Sequence, residues 1–120
     1  MKLAVVGSRD FSDSETMARV LDRIRAKHPQ VTIVSGAGRG ADTLAANYAK
    51  ANGLTLIEFP ADWNKHGRAA GPIRNQQVVD ASDAVLAFWD GQSPGTKITI
   101  DMARRKGIPV RIVKPSGEEE

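Results

Sequence analysis

A chain of 120 residues, 41% hydrophobic and 26% charged, describes one globular domain with enough apolar side chains for a core, and excludes both a second domain and intrinsic disorder. The lack of any cysteine excludes a disulfide framework, a thiolate nucleophile and a cysteine zinc site, and no apolar run nears the roughly 18 residues of a membrane span. The formal charge is +3; with Glu118, Glu119 and Glu120 set aside as a disordered acidic tail (116–120), 17 basic residues face 11 acidic ones, and the resulting +6 on residues 1–115 suits either anionic partners or plain solubility.

In chain order, only Met1-Lys2 precedes the first apolar run, Leu3-Ala4-Val5-Val6, which breaks at Gly7. No signal peptide is expected, and a cytoplasmic location is the default. Ser12 followed by Glu15 reads as a capping box, and Met17, Val20, Leu21 and Ile24 recur at i, i+3, i+4 and i+7 as one face of a helix running to about Lys27, ahead of Pro29. A second strand, Val31-Thr32-Ile33-Val34, leads to a helix striped by Leu44, Ala45, Tyr48 and Ala49 and ended by Asn52-Gly53. The third strand is Leu54-Thr55-Leu56-Ile57, after which a long connection runs to a helix starting at Gly71-Pro72. The fourth strand, Ala84 to Phe88, precedes a helix from about Thr96 to Gly107, with Arg104, Arg105 and Lys106 in its last turn, and Val110-Arg111-Ile112-Val113 closes the series.

Near-continuous apolar strands alternating with amphipathic helices predict an α/β domain: a Rossmann-like open parallel five-stranded sheet with helices on both faces. Strand order 3-2-1-4-5 is preferred to 2-1-3-4-5. Either order puts a ligand site at the carboxyl ends of the strands, beside a topological switch point.

The loops leaving those strand ends hold the unusual residues. Gly7-Ser8-Arg9-Asp10 follows the first strand, and Ser35-Gly36-Ala37-Gly38-Arg39-Gly40-Ala41-Asp42 the second. Alternate glycines let a backbone come close to a ligand, and a helix start beyond them offers free amides to phosphate. The loose G-x-G-x-x-G/A match at Gly36, Gly38 and Ala41, with Glu58 as ribose acceptor, carries little weight because that fingerprint belongs after a first strand; Ala41-Asp42 after Gly40 also leaves no Walker lysine. The third strand is followed by Pro60-Ala61-Asp62-Trp63 through Arg68 to Pro72-Ile73-Arg74-Asn75, a connection long enough to be functional. Trp63 there either stacks a base or packs over the sheet end, and His66 reads as a solvated loop residue. After the fourth strand, Trp89-Asp90-Gly91-Gln92-Ser93-Pro94-Gly95-Thr96 forms a second glycine-bearing turn onto a helix start. Arg9, Arg39, Lys65, Arg68, Arg74 and Lys97 on this face mix with Asp10, Asp42, Asp62 and Asp90. Arginines suit phosphate and aspartates suit ribose hydroxyls or base amines, a combination that fits a nucleotide better than bare phosphate.

Taken together and in order over residues 3–113, these loop motifs resemble the YspA-like branch of the SLOG superfamily. The resemblance implies a Rossmann-like fold and a pocket for a nucleotide-derived ligand, a nucleotide, an ADP-ribose or a nucleotide-sugar type. Two related groups imply different activities. LOG-type phosphoribohydrolases carry P-G-G-x-G-T-x-x-E; here Gly95-Thr96 matches the G-T pair, but Thr99 stands where the glutamate belongs, and a hydroxyl does not replace that carboxylate. A hydrolase would then draw its carboxylate from Asp62 or Asp90. The DNA-processing protein DprA, a single-strand DNA binder, shares a G-S-R opening, an S-G-x-A-R-G-x-D loop and an R-N element, matched by Gly7-Ser8-Arg9, Ser35 to Asp42 and Arg74-Asn75. Two tryptophans make a short stacking platform for a strand.

The expectation is a binding or sensing module for a nucleotide-derived small molecule, with an N-glycosidic hydrolase as the alternative and single-strand DNA binding third. The expected ligand-binding set is Gly7, Ser8, Arg9, Ser35, Gly36, Gly38, Arg39, Gly40, Asp42, Asp62, Trp63, Arg74, Asn75, Trp89, Asp90, Ser93, Gly95 and Thr96. No metal and no resident cofactor besides that ligand are expected, and no membrane; a homo-oligomer stays open.

Overall fold

A computed structural model describes residues 1–120. The five strands are β1 (Lys2–Gly7), β2 (Thr32–Ser35), β3 (Leu56–Glu58), β4 (Ala84–Phe88) and β5 (Val110–Val113), all parallel, in the order β3-β2-β1-β4-β5. The α/β Rossmann-like reading and the preferred 3-2-1-4-5 order both hold. The helices are α1 (Ser14–Lys27), α2 (Ala41–Ala51), α3 (Trp63–His66), α4 (Ala70–Asp80) and α5 (Pro94–Lys106). None is long and apolar enough to cross a membrane.

β1 explains why its sequence does not alternate. Leu3 and Val5 face a layer built with Met17, Val20 and Leu21 of α1 and Ala41, Ala45 and Ala49 of α2. Ala4 and Val6 face the opposite layer, with Val78 and Val79 of α4 and Ile100 and Ala103 of α5. Both pleat faces are therefore apolar, and each fully buried large side chain contributes roughly 1.5–3 kcal/mol relative to exposure. The chain leaves β1 toward β2 and β3, then crosses through α4 to β4 on the other side. The loops after β1 and β4 part there and open the crevice expected of a switch point.

Several boundaries move. The cap of α1 is Asp13, one residue beyond the predicted Ser12–Glu15 box: its Oδ1 accepts the Thr16 amide at 3.0 Å and its Oδ2 the Thr16 hydroxyl at 2.6 Å. These bonds lower the Asp13 pKa. The fourth predicted helix begins earlier, with Pro94 in its first turn, where a missing N–H costs nothing. The long connection is not irregular: Asp62 caps the short α3 by accepting the Lys65 amide at 3.0 Å, and a 3-10 turn, Gly67–Ala69, leads into α4. At the far end, Lys106 folds back so that its Nζ donates to the carbonyls of Val79, Asp80 and Ser82, capping α4 from α5.

Residues 116–120, expected to be disordered, lie instead against the edge strand. Ile112 and Glu120 exchange backbone hydrogen bonds of 3.1 and 2.7 Å. Glu119 ion-pairs with Arg23 and Arg111, and Glu120 with Lys114 at 2.6 Å. The unpaired backbone groups of β5 and the basic side chains around it supply partners that composition alone did not reveal.

Candidate functional site

A cleft of about 950 Å³ opens at the carboxyl ends of β1, β2 and β4, roofed on one side by α3 and the start of α4. It gathers Gly7, Ser8, Arg9, Gly36, Gly38, Arg39, Asp42, Trp63, Arg74, Asn75, Ser93, Gly95 and Thr96 from the predicted set. Each is carried there by the loop or helix start that follows a strand.

The β2–α2 turn is filled largely by the protein itself. Gly38 donates its amide to Asp42 Oδ2 at 3.0 Å. Arg74, from α4, lies across Gly36 and donates to its carbonyl, while its Nε donates to Asn75 Oδ1 at 3.0 Å. Gly40 has φ +69°, and a Cβ there would lie 2.4 Å from the carbonyl oxygens of Ser8 and Arg9. Only glycine lets the first two turns press together in this way. Burial raises the Asp42 pKa, opposed by the Gly38 amide and the charge of Arg74.

The β4–α5 turn is built differently. Asp90 accepts the Gln92 and Ser93 amides, both at 2.8 Å, and the Ser93 hydroxyl at 3.1 Å; the two amides lead in lowering its pKa. Trp89 Nε1 donates to the Ser93 carbonyl at 3.1 Å, and Ser93 Oγ lies 2.9 Å from Ser8 Oγ. These bonds hold a loop whose next residues are open. Nothing lies within 4 Å of a Cβ built on Gly95. Thr96 is only 6% exposed, yet its hydroxyl forms no hydrogen bond within the protein, whereas Thr99 Oγ1 donates to the Gly95 carbonyl at 3.2 Å. The amides of Gly95 and Thr96 belong to the first turn of a 13-residue helix and have no carbonyl to bond.

Five predicted residues stay outside the cleft. Ser35 is fully buried and braces the β2–α2 loop, accepting the Ala37 amide at 3.3 Å and donating to the Asp42 carbonyl at 3.4 Å. Gly40 is a packing glycine. Trp89 and Asp90 hold the β4–α5 loop, and Asp62 caps α3. The two carboxylates predicted as catalytic candidates are thus engaged outside the cleft lining, Asp62 as the cap of α3 and Asp90 within its own loop, and the cleft is lined by Asp10 and Asp42 instead. Arg68, Pro72, Ile98 and Thr99 also line it. Arg68 carried a signal in the sequence as a cation of the long connection. Pro72 stood in the same connection as a helix start, whereas Ile98 carried none, because only the packing of α5 brings it to the lip. Trp63, 52% exposed, lies with its ring edge 3.5 Å from a Cβ built on Gly71. The four arginines of the cleft, Arg9, Arg39, Arg68 and Arg74, enter no ion pair.

Fold and cleft together define a single-domain Rossmann-like protein with a cleft at the switch point. A model of the "YspA, cpYpsA-related SLOG family" matches residues 1–66, and the chain belongs to that family. The Gene 61 protein of Mycobacterium phage D29 is 34% identical over 116 residues, spanning 91% of this chain and 93% of that relative. Among solved structures, DNA processing protein A (DprA) of Streptococcus pneumoniae matches 92% of the chain with a TM-score of 0.77 and 23% identity. DprA of Helicobacter pylori, whose structure is described for its single-stranded DNA binding mode, matches 93% with a TM-score of 0.65 and 20% identity. The chain spans 49% and 64% of those two proteins. The protein TM1055 matches 97% of the chain, and 75% of its own length, with a TM-score of 0.72 and 22% identity. These three likenesses show a shared fold.

Proposed function

We propose that this protein binds a phosphate-bearing, nucleotide-derived small molecule in the cleft at the carboxyl ends of its strands. The observation that carries this reading is the start of α5. The unpartnered hydroxyl of the largely buried Thr96, two free amides and the positive end of a helix dipole lie together beside the open space at Gly95. That combination is complementary to a phosphate oxygen. Arg9 and Arg39 at the lip are unpaired cations able to neutralise it. The β2–α2 turn is the poorer phosphate site, because Asp42 already accepts its Gly38 amide. Trp63 on the rim offers an exposed face for a base.

A screen of nucleotides and ADP-ribose-type compounds by thermal unfolding tests the reading. A ligand at a hundred times its Kd stabilises by roughly 2.7 kcal/mol, several degrees for a domain of this size. No shift with any of them at millimolar concentration refutes it.

The DprA-like fold supports single-stranded DNA as the competing ligand of the same arginines. The two separate by salt: affinity for a strand falls with a log-log slope of about −0.7 per phosphate neutralised, while one or two phosphates in a pocket give a shallow slope. We expect nucleotide binding to persist near physiological salt and oligonucleotide binding to vanish, since Asp10 and Asp42 interrupt the basic track.

A further inference from the structure

Of the two carboxylates that line the cleft, Asp10 and Asp42, Asp42 is the one held in a fixed position by the protein. It starts α2 and is half-buried, and its Oδ2 is fixed on the Gly38 amide at 3.0 Å. The fit is tight, since a Cβ at Gly38 would lie 2.9 Å from that oxygen. The other oxygen, Oδ1, has no protein partner, and it is not sealed from solvent, because Arg25 Nε is the one such buried side-chain atom without a bond. Its charged neighbours are Arg74, a donor, and the second carboxylate Glu58. Arg74 commits Nη1 to the Gly36 carbonyl and Nε to Asn75 Oδ1, which leaves its Nη2 and the Asn75 amide nitrogen to the cleft.

An acceptor oxygen that shares its cleft with two free donors suits a group that both gives and takes a hydrogen bond. A hydroxyl does both. A phosphate only accepts and meets a carboxylate in a poorly solvated corner; a base amine only donates and leaves Arg74 and Asn75 unmatched. The spacing agrees. The corner stands at the end of β2 and the α5 amides at the end of β4, with β1 between them. Two strand spacings are roughly 10 Å, the reach of a ribose 5-phosphate with a hydrogen bond at each end. Burial of Asp42 sharpens the preference, because a partly desolvated carboxylate gains more from a hydroxyl donor than a hydrated one does.

We propose that Asp42 reads the sugar of the ligand, accepting a ribose hydroxyl that Arg74 and Asn75 also contact, and so selects ribonucleotides over deoxyribonucleotides. This rests on the phosphate reading of the α5 turn and names the sugar class that accompanies the phosphate.

The test is calorimetric titration of the wild type and Asp42→Asn with the ribonucleoside 5′-monophosphates and their 2′-deoxy and 3′-deoxy counterparts. A hydrogen bond to a charged group is worth about ten- to hundredfold in affinity. The wild type is expected to bind a ribonucleotide at least tenfold more tightly than one of its deoxy forms, and Asp42→Asn to bring the two within about twofold. The asparagine keeps an oxygen for the Gly38 amide and removes a poorly solvated charge, so the variant is expected to fold. Equal affinity of the wild type for ribo and deoxy forms overturns the proposal while leaving phosphate binding intact, as does a preference that survives Asp42→Asn. Failure of every monophosphate, ribo and deoxy, to bind the wild type overturns the sugar assignment, and failure of the ADP-ribose-type compounds as well overturns the phosphate reading beneath it.

Discussion

The two glycine-bearing turns look alike in the sequence and are opposites in the structure. In the β2–α2 turn, the space a side chain would take at Gly36, Gly38 and Gly40 is occupied by Arg74, by the Asp42 carboxylate and by the carbonyls of Ser8 and Arg9. In the β4–α5 turn, the space at Gly95 is empty, and the adjoining amides and the Thr96 hydroxyl are unused. A glycine marks close approach of something to the backbone. In one turn the approaching body is the protein, and in the other the space stays open.

That contrast breaks most sharply at Gly40. Gly40→Ala forces a Cβ onto two backbone oxygens and into a backbone conformation closed to alanine, and strain plus overpacking are expected to cost about 3 kcal/mol or more. Chemical denaturation measures it. A loss below about 1 kcal/mol would mean that the first two turns are not pressed together. Arg39→Ala comes next and acts on ligand alone. An exposed arginine in no ion pair leaves stability within about 0.5 kcal/mol when removed, while a phosphate ligand loses about 1.5 kcal/mol of affinity and the matching nucleoside almost none. Equal losses for both, read by titration, would assign Arg39 to the loop. Smaller still, Asp62→Ala removes the cap of the four-residue α3 and is expected to cost about 0.5–1 kcal/mol, with Asp62→Asn close to wild type. A carboxylate doing chemistry would behave differently: its asparagine variant would fold normally and lose turnover.

Why one turn and not the other was legible follows from the same contrast. Strand order, helix faces and the crevice come from periodicity and chain order, which are local and repeated, so β1 with Leu3 and Val5 on one side and Ala4 and Val6 on the other was readable in outline. The membership of the cleft was readable too, since a loop after a parallel strand has one place to go. The roles within it were not. Asp42, Asp62 and Asp90 are the same residue type in similar loops, yet Asp62 and Asp90 turn back onto amides two or three residues ahead, and only Asp42 keeps an oxygen toward the cleft. Which amide a carboxylate finds depends on a loop conformation that spacing does not encode. The fold-back of residues 116–120 escaped for a related reason: their partners, Arg23 and the β5 edge, are distant in sequence.

The smallest effect on stability is expected where the contrast is purest. Gly95 is in the first turn of α5, with nothing for a Cβ to meet and no positive φ to strain. Gly95→Ala replaces the residue with the largest loss of backbone freedom in a helix by the one with the best helical propensity, so stability is expected to hold or to rise by up to about 1 kcal/mol. The added methyl nevertheless takes up open space at a residue that lines the cleft beside Thr96. A phosphate there must move outward, lengthening bonds whose strength depends on geometry. Affinity for a phosphate ligand is therefore expected to fall about tenfold in a protein that unfolds no earlier than wild type. Thermal unfolding with and without ligand reads both effects in one experiment. If Gly95→Ala binds as well as wild type, the phosphate lies elsewhere in the cleft and the two turns differ in packing alone; if it unfolds earlier, Gly95 too is pressed by the protein and the contrast itself is lost.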